Sequence, residues 1–495
     1  MPQEIIVLEN VFYSYPREKT WALENISLSI TEGEFLAVMG KNGAGKTTFC
    51  KLINGIIPHS CGGRLLGTVT VDGECTAETP VPQLARKVGM ALDDPDAQLF
   101  TSSVRNEAAF GPENLMLPPD EIEKRVERAL NAVGLSGFEE REPKTLSGGE
   151  KQRLAIAAAL AMPGKILVLD EPLARLDPAG ASQFLSVLRS VREKFKLTVI
   201  MATHDSAGTA GIADRICVLN DGRIAACDIP QKIFANSALL RDNGMQPPVN
   251  TDINEYFLPA GVGFYDTDTK SEAIRITGLS YFYDSSKASI KKINLSVKNN
   301  DFMAIIGRNG CGKTTLLKNI AGLLRPCSGE IYINGKNSKE LSIPAISKEA
   351  GFVMQNPDNQ LFTDSVYNEV SFALKNSELS KTEKNKRVEA ALCAVGLENP
   401  DAFPHALSRA DRTKTVIASV LAMGCKIIIL DEVDVGQDFT GIVKIMNLVR
   451  ELHSQGFTVI FVTHNMYIAC EYAERLVIME NDGIVMDGKR KGAAK

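Results

Sequence analysis

Apolar and polar positions alternate along residues 5–8 and 23–30, the period of a half-buried strand. Residues 35–39 are instead a solid apolar run that ends in a glycine-rich loop. A buried parallel strand followed by a helix from Thr48 onward fits that order. Residues 165–169 and 198–202 are further buried-strand candidates, as are 426–430 and 458–462. A helical period lies between them. Asp120, with Glu123 three residues on, reads as a helix N-cap, and Val126, Ala129, Leu130 and Val133 then share one face. Ser380 and Glu383 repeat that signal ahead of Val388, Ala391, Leu392 and Val395. Strands alternating with helices predict a mainly parallel α/β core.

The pattern occurs twice. Gly40-Lys41-Asn42-Gly43-Ala44-Gly45-Lys46-Thr47-Thr48 returns as Gly307-Arg308-Asn309-Gly310-Cys311-Gly312-Lys313-Thr314-Thr315. Leu169-Asp170-Glu171 returns as Leu430-Asp431-Glu432, and Thr203-His204 as Thr463-His464. A spacing this long marks a duplicated domain rather than a solenoid. We therefore expect one domain at 1–242 and a second at 272–495. The polar stretch 243–271, with Pro247-Pro248 and several glycines, is expected to be a tether with weak local structure.

Composition narrows the class. Charged residues make up 23% of the chain and hydrophobic ones 44%, as in ordinary globular domains. A net charge of −5 gives no global basic field for nucleic acid. Ten scattered cysteines without a Cys-x-x-Cys pair read as reduced thiols. The N-terminal residues lack a charged-then-apolar leader, and no apolar run approaches the roughly 18 residues that span a bilayer. A role at a membrane would need a partner to supply the spanning helices.

The glycine loops carry the chemistry. In Gly-x-x-x-x-Gly-Lys-Thr, backbone N–H groups cradle phosphate, the lysine neutralises its oxygens, and the hydroxyl coordinates Mg²⁺. Lys46 and Lys313 are assigned to phosphate, Thr47 and Thr314 to Mg²⁺. Asp170 and Asp431 each end four apolar residues, which puts a carboxylate at the crevice where α/β sheets bind ligands. Glu171 and Glu432 are candidate general bases for an attacking water. His204 and His464 end a second apolar strand and are candidate γ-phosphate contacts. Ser147-Gly148-Gly149-Glu150 opens another helix, and two glycines there leave bare N–H groups at its positive end, an anion site. Its counterpart, Ser408-Arg409-Ala410-Asp411, has lost both glycines.

With these motifs in order, nearly the whole chain resembles a tandem pair of ATP-binding cassette (ABC) nucleotide-binding domains. The resemblance implies two P-loop NTPase domains, each with a mainly parallel core, an antiparallel β subdomain and a helical signature subdomain. It implies ATP and Mg²⁺ as cofactors, with Asp170 and Asp431 on the metal. It also implies adenine stacking on Tyr15 and Tyr283, and head-to-tail pairing of the halves within the chain. Each ATP would then lie between one half's phosphate loop and the other half's signature, Ser147 or Ser408. Residues 93–100 (Asp-Asp-Pro-Asp-Ala-Gln-Leu-Phe) and 355–362 (Gln-Asn-Pro-Asp-Asn-Gln-Leu-Phe) resemble, more narrowly, the ATPases of energy-coupling factor (ECF) importers for vitamins or transition-metal ions. That likeness implies a transmembrane coupling protein and a substrate-binding membrane subunit as partners. It implies a peripheral place on the cytoplasmic face of the plasma membrane and no nucleic acid. Tandem ABC ATPases of the ribosome usually carry a charged helical linker or an N-terminal cysteine cluster, which this sequence lacks. Tandem sugar-import ATPases are not expected to repeat Pro-Asp-x-Gln-Leu-Phe in both halves.

The halves depart from the family pattern unequally. Gln355 stands at the family's Q-loop metal position, where the first half has Asp93. Arg409 stands where a signature glycine should approach phosphate, and Val433 replaces the usual proline after Glu432. Head-to-tail pairing would put Asp93 and Arg409 in the same site. We expect the site built on Lys313 and Ser147 to hydrolyse ATP, and the site built on Lys46 and Ser408 to bind it and turn over slowly.

Overall fold

The computed structural model describes residues 3–174, 176–248, 256–260, 272–284 and 287–491. The chain forms two compact units, Met1–Val249 and, for the greater part, Asn250–Gln437 with Gly441–Lys495. In the first, a six-stranded sheet runs in the order Arg223–Asp228, Arg215–Asn220, Phe35–Met39, Thr198–Ala202, Ile166–Asp170, Val88–Ala91. Only the pair at one edge, Arg223–Asp228 against Arg215–Asn220, is antiparallel. Every residue of Phe35–Met39, Ile166–Asp170 and Thr198–Ala202 is buried. Parallel strands covered on both faces read as unbroken apolar runs, which is why the sequence marked them within a residue.

Register sets up the site. Val38 and Asp170 both lie level with Ala202, and Met39 lies level with Val218. The strands therefore end together, and Gly40, Glu171 and Thr203 all leave the sheet at its carboxyl edge. A second, antiparallel sheet runs Leu23–Thr31, Glu4–Ser14, Arg64–Val71, Glu74–Cys75. Helices Val104–Asn114, Pro119–Ala132 and Gly148–Ala161 make a helical layer, with Val126, Ala129, Leu130 and Leu154 in the same core as Phe35 and Leu167.

The second unit repeats this plan. Its main sheet runs Phe257–Ala260, Gly483–Arg490, Arg475–Glu480, Phe302–Gly307, Thr458–Val462, Ile427–Asp431, Ala350–Val353, and Asp431 lies level with Val462. Its antiparallel sheet runs Lys287–Lys298, Glu272–Asp284, Ser328–Ile333, Lys336–Asn337.

Two local expectations need correction. The first-half helix is not capped by Asp120: it begins at Pro119, after Pro118, with no side-chain cap. A proline at the first helical position has its φ preset and lacks only an N–H that would go unpaired anyway, so the start moves ahead of the acid. The second copy does form the reciprocal cap. Ser380 N–H donates to Glu383 Oε2 at 3.1 Å, and Glu383 N–H donates to Ser380 Oγ at 3.3 Å. The expected tether is also not wholly plain: Phe257–Ala260 adds an antiparallel edge strand to Gly483–Arg490, with Phe257 buried. Residues 249–255 and 261–271 of that stretch lie outside the described residues.

Replacing Ser380 by Ala should speed amide exchange at 381–384 about fivefold, the equivalent of ~1 kcal/mol of lost cap. Asp120→Ala should change stability by less than ~0.5 kcal/mol. Hydrogen–deuterium exchange on the intact chain checks both.

Candidate functional site

Each half builds one constellation at the carboxyl edge of its parallel sheet. Gly40 and Gly307 need glycine for two reasons. Their φ values are 144° and 156°. A Cβ on either would sit 2.2 Å from a backbone carbonyl, that of Leu219 or Met479. The loop is thereby pressed against the neighbouring strand and turned into helix Lys46–Ile53 or Lys313–Ile320, with its N–H groups at the helix's positive end. The buried lysines fold back over their loops. Lys46 Nζ donates to the carbonyls of Gly40 (3.0 Å) and Lys41 (3.2 Å), and Lys313 Nζ to those of Gly307 (2.9 Å) and Arg308 (3.1 Å). Asn42 meets His204, Oδ1 to Nε2, at 3.0 Å. Gly43, Gly45, Gly310 and Gly312 also take positive φ, and Asn309 lies in the second loop.

The acids follow at the strand tips. Burial pushes both Asp170 and Asp431 up to about 6, against the lowering effect of Thr47 and Thr314, which hydrogen-bond them. Thr314 Oγ1 donates to Asp431 Oδ1 at 3.0 Å. Asp170 Oδ1 is buried without a hydrogen-bond partner among the described residues. That set suits a hard cation shared with phosphate oxygens: one hydroxyl, one carboxylate oxygen in want of a partner, and little else. No group of three or more His, Cys, Asp or Glu among the described residues could hold an ion unaided.

Glu171 and Glu432 both have φ 47°, the left-handed region. A non-glycine residue there costs ~1–2 kcal/mol, and its repetition in both halves marks it as a kept strain. The backbone N–H of each still bonds the next strand, to Ala202 O at 2.9 Å and Val462 O at 3.1 Å. The side chain is thus turned into the crevice while the main chain stays tied down.

Around these glutamates the halves diverge. In the second, Gln355 Nε2 donates to Glu432 Oε2 and His464 Nε2 donates to Oε1, both at 2.8 Å. Burial works to raise Glu432, but the His464 bond and charge, with Lys313 at 3.8 Å, outweigh it and hold the carboxyl below its usual value. In the first half Asp93 occupies the Gln355 position. Burial raises Glu171, Lys46 at 3.5 Å opposes this, and the like charge of Asp93 adds to the rise. His204 also changes role. Its Nε2 is 3.0 Å from Lys46 Nζ. Asn42 Oδ1 lies at the same distance from that nitrogen and Glu171 Oε1 at 3.2 Å, so His204 is shared between a lysine and two oxygens where His464 faces Glu432. Burial first, and the Lys46 charge second, push His204 down to about 3.

The signature segments also differ. Ser147 caps helix Gly148–Ala161 in a reciprocal box with Glu150, so that Gly148 and Gly149 form its bare first turn. Ser408 caps Arg409–Met423 through Asp411. Arg409 Nη2 donates to the Gln355 carbonyl at 3.2 Å, and its guanidinium lies against Gly436. Both of these contacts lie within the second half. Tyr15 Oη lies 3.0 Å from Thr48 Oγ1, and Tyr283 Oη 3.5 Å from Thr315 Oγ1, each ring edge-on to a second tyrosine.

Several supporting residues escaped the sequence reading. Lys151 pairs with Asp96, and Arg412 with Asp358, both at 2.6 Å, tying each signature helix to the Pro-Asp-x-Gln-Leu-Phe segment. Buried Glu107 and Glu369 accept backbone N–H bonds from Phe100 and Thr101, and from Phe362 and Thr363. Their recurrence at matching positions of the repeat was the available signal.

Comparison with known proteins places these features in context. Residues 23–174 and 290–434 match the profile of the ABC transporter family. A protein of Methanosarcina acetivorans, described as an ABC transporter ATP-binding protein, is 36% identical over 97% of this chain and 85% of its own. One of Caldanaerobacter subterraneus with the same description is 35% identical over 100% of this chain and 92% of its own. The solved structure of cbiO1 from Clostridium perfringens, part of the ABC transporter complex cbiONQ, is 34% identical. It covers 48% of this chain and 94% of that chain, with a TM-score of 0.44.

A pH test follows from the aspartates. Both are ionised above about 6 and protonated below it. A Mg²⁺ ion held by these carboxylates would compete with that proton, so a gain in nucleotide affinity from Mg²⁺ should shrink as pH falls from 7 to 5. The loss should approach about tenfold per unit below the pKa. Fluorescent-nucleotide titrations with and without Mg²⁺ measure it, and Asp170→Asn with Asp431→Asn should flatten the profile.

Proposed function

The chain belongs to the ABC transporter ATP-binding family and is an ATPase, and from that premise we propose that it powers an ECF-type importer through two unequal nucleotide sites. In this reading domains 1–242 and 272–495, joined through 243–271, pair head to tail. The site made of Lys313, Thr314, Asp431, Glu432, Gln355 and His464 with the Ser147 signature hydrolyses ATP. The site made of Lys46, Thr47, Asp170, Glu171, Asp93 and His204 with the Ser408 signature binds ATP and turns over slowly. Tyr15 and Tyr283 stack on the two adenines.

The observation that carries this reading is the hold on Glu432. An amide and an imidazole N–H, both at 2.8 Å, aim its two oxygens, so an ionised carboxylate is set to take a proton from water attacking the γ-phosphate. Mg²⁺ bound by Thr314 and Asp431 would neutralise phosphate charge. In the first half the Asp93 side chain has no amide hydrogen to give, and Glu171 lies against Lys46 and His204 instead, at 3.5 and 3.2 Å. Arg409 deepens the difference, because the second signature offers a guanidinium anchored on the Gln355 carbonyl in place of bare glycine backbone.

The membrane role is supported by the Pro-Asp-x-Gln-Leu-Phe segments. Gln98 and Gln360 each fold back on the preceding strand end, accepting from Leu92 N–H at 2.9 Å and Met354 N–H at 2.7 Å. Each segment then presents an edge-on pair, Phe100 with Phe110 and Phe362 with Phe372, all four exposed. Paired apolar rings beside the catalytic loop suit the helices of a membrane coupling protein. No helix among the described residues is long and apolar enough to cross a membrane. The partner would supply the spans, together with a substrate-binding subunit, and hold this chain at the cytoplasmic face.

Glu432→Gln should lower ATPase turnover by about 10²–10⁴, the usual worth of a positioned base, while Glu171→Gln keeps most of it. Equal losses in steady-state assays would sink the asymmetry. Phe100→Ser with Phe362→Ser should leave basal turnover of the isolated chain intact and abolish co-purification with a polytopic membrane protein. Retained co-purification counts against the docking role.

A further inference from the structure

The antiparallel edge of the first sheet carries two cysteines that the nucleotide chemistry does not use. Cys217 and Cys227 lie directly opposite each other on strands Arg215–Asn220 and Arg223–Asp228. Cys217 is buried and Cys227 is half-buried. Arg215 reaches across, with Nη2 3.1 Å from Cys227 Sγ, while its Nη1 bonds Glu34 at 3.0 Å and the Ser29 carbonyl at 3.1 Å.

The second half shows what this arginine is built to hold. Arg475 bonds Asp301 at 2.9 Å and the Ser296 carbonyl at 2.7 Å, as Arg215 does Glu34 and Ser29. Its remaining nitrogens grip the Asp487 carboxylate at 2.8 and 2.6 Å. Asp487 lies opposite Val477, just as Cys227 lies opposite Cys217. Cys227 therefore stands in an anion's place, against a guanidinium, with a second thiol across the ladder. We propose that Cys217 and Cys227 are a redox modification site, in which a Cys227 thiolate held by Arg215 reacts with hydrogen peroxide and closes a reversible disulfide with Cys217.

The chemistry balances. The Cys227 thiolate attacks one peroxide oxygen, the O–O bond breaks, and a sulfenic acid and hydroxide form. The Cys217 sulfur then displaces the sulfenic oxygen, which leaves as water with the thiol proton, and the S–S bond forms. Two thiols are oxidised by two electrons and one peroxide is reduced. The acid–base setting agrees. The hydrogen bond from Cys217 and the Arg215 charge bring Cys227 down to about 7 against its burial, and Glu34 opposes them. Cys217, which donates that bond and is buried, is held well above its usual value.

The bond would clamp a hairpin that touches the first phosphate loop. Leu219 supplies the carbonyl against which Gly40 is pressed, and Gly222 N–H donates to Ala44 O at 3.2 Å. Closing the disulfide should therefore weaken nucleotide binding at that loop, by about tenfold for 1.4 kcal/mol of strain. This consequence rests on the proposed first-half nucleotide site; the cysteine chemistry does not.

The test uses the full chain treated with hydrogen peroxide and mapped by trypsin without reductant. A linked pair of peptides, 216–223 with 224–232, that separates with dithiothreitol is expected. Cys217→Ser should leave a dimedone-reactive sulfenic acid on Cys227, and Cys227→Asp, which copies the second half, should keep basal ATPase and ignore peroxide. Failure to find both the linked peptides and the trapped sulfenic acid overturns the site. Nucleotide titration of Lys313→Ala, in which the first loop dominates, reads the coupling. Unchanged affinity with the disulfide formed overturns the clamp while leaving the cysteine pair standing.

Discussion

Two adjacent carboxylates at the tip of a buried strand repel each other and resist burial, and each half is arranged around keeping them there. Asp170 and Glu171, like Asp431 and Glu432, have buried lysine, hydroxyl and imidazole groups gathered around them. The lysine is held by its own loop's carbonyls, the loop by the neighbouring strand, and the strand ends by the register of a sheet covered on both faces. Loosening any of these layers leaves like charges facing each other at low dielectric. The apolar strands serve the site by fixing where the charges stand.

Against that shared frame the duplication shows where each copy was free to change. Capping serines, signature-helix ion pairs and exposed phenylalanine pairs are kept in both halves. The changes fall on groups that touch the glutamates or approach phosphate: Asp93 for Gln355, His204 shared with Lys46 and Asn42 where His464 bonds Glu432, and Arg409 in place of glycine. The scaffold is common to the two halves and the hydrogen-bond donors are not.

Much of this was legible in the sequence, for identifiable reasons. A strand buried on both faces has an unambiguous period, so 35–39 and 198–202 were marked to the residue. The phosphate loops were legible because their glycines answer a backbone requirement that few other residues meet. The start at Pro119 was misplaced because a proline's preset φ competed with the acid cap at Asp120. The edge strand Phe257–Ala260 was hidden because its partner lies more than two hundred residues away. The destination of Arg409 and the grip of Arg215 on Cys227 were out of reach for the same reason: each is a contact across elements, and local pattern carries no sign of it.

The left-handed backbone at Glu171 and Glu432 has a consequence for how such a chain can be altered. Glycine would relax that conformation, so the substitution that most eases the fold at these two positions is one that removes the carboxylate. Resilience and turnover are set against each other at a single residue in each half. A lineage selected only to withstand heat would be drawn toward losing these glutamates, and only a continuing demand for work would hold them in place.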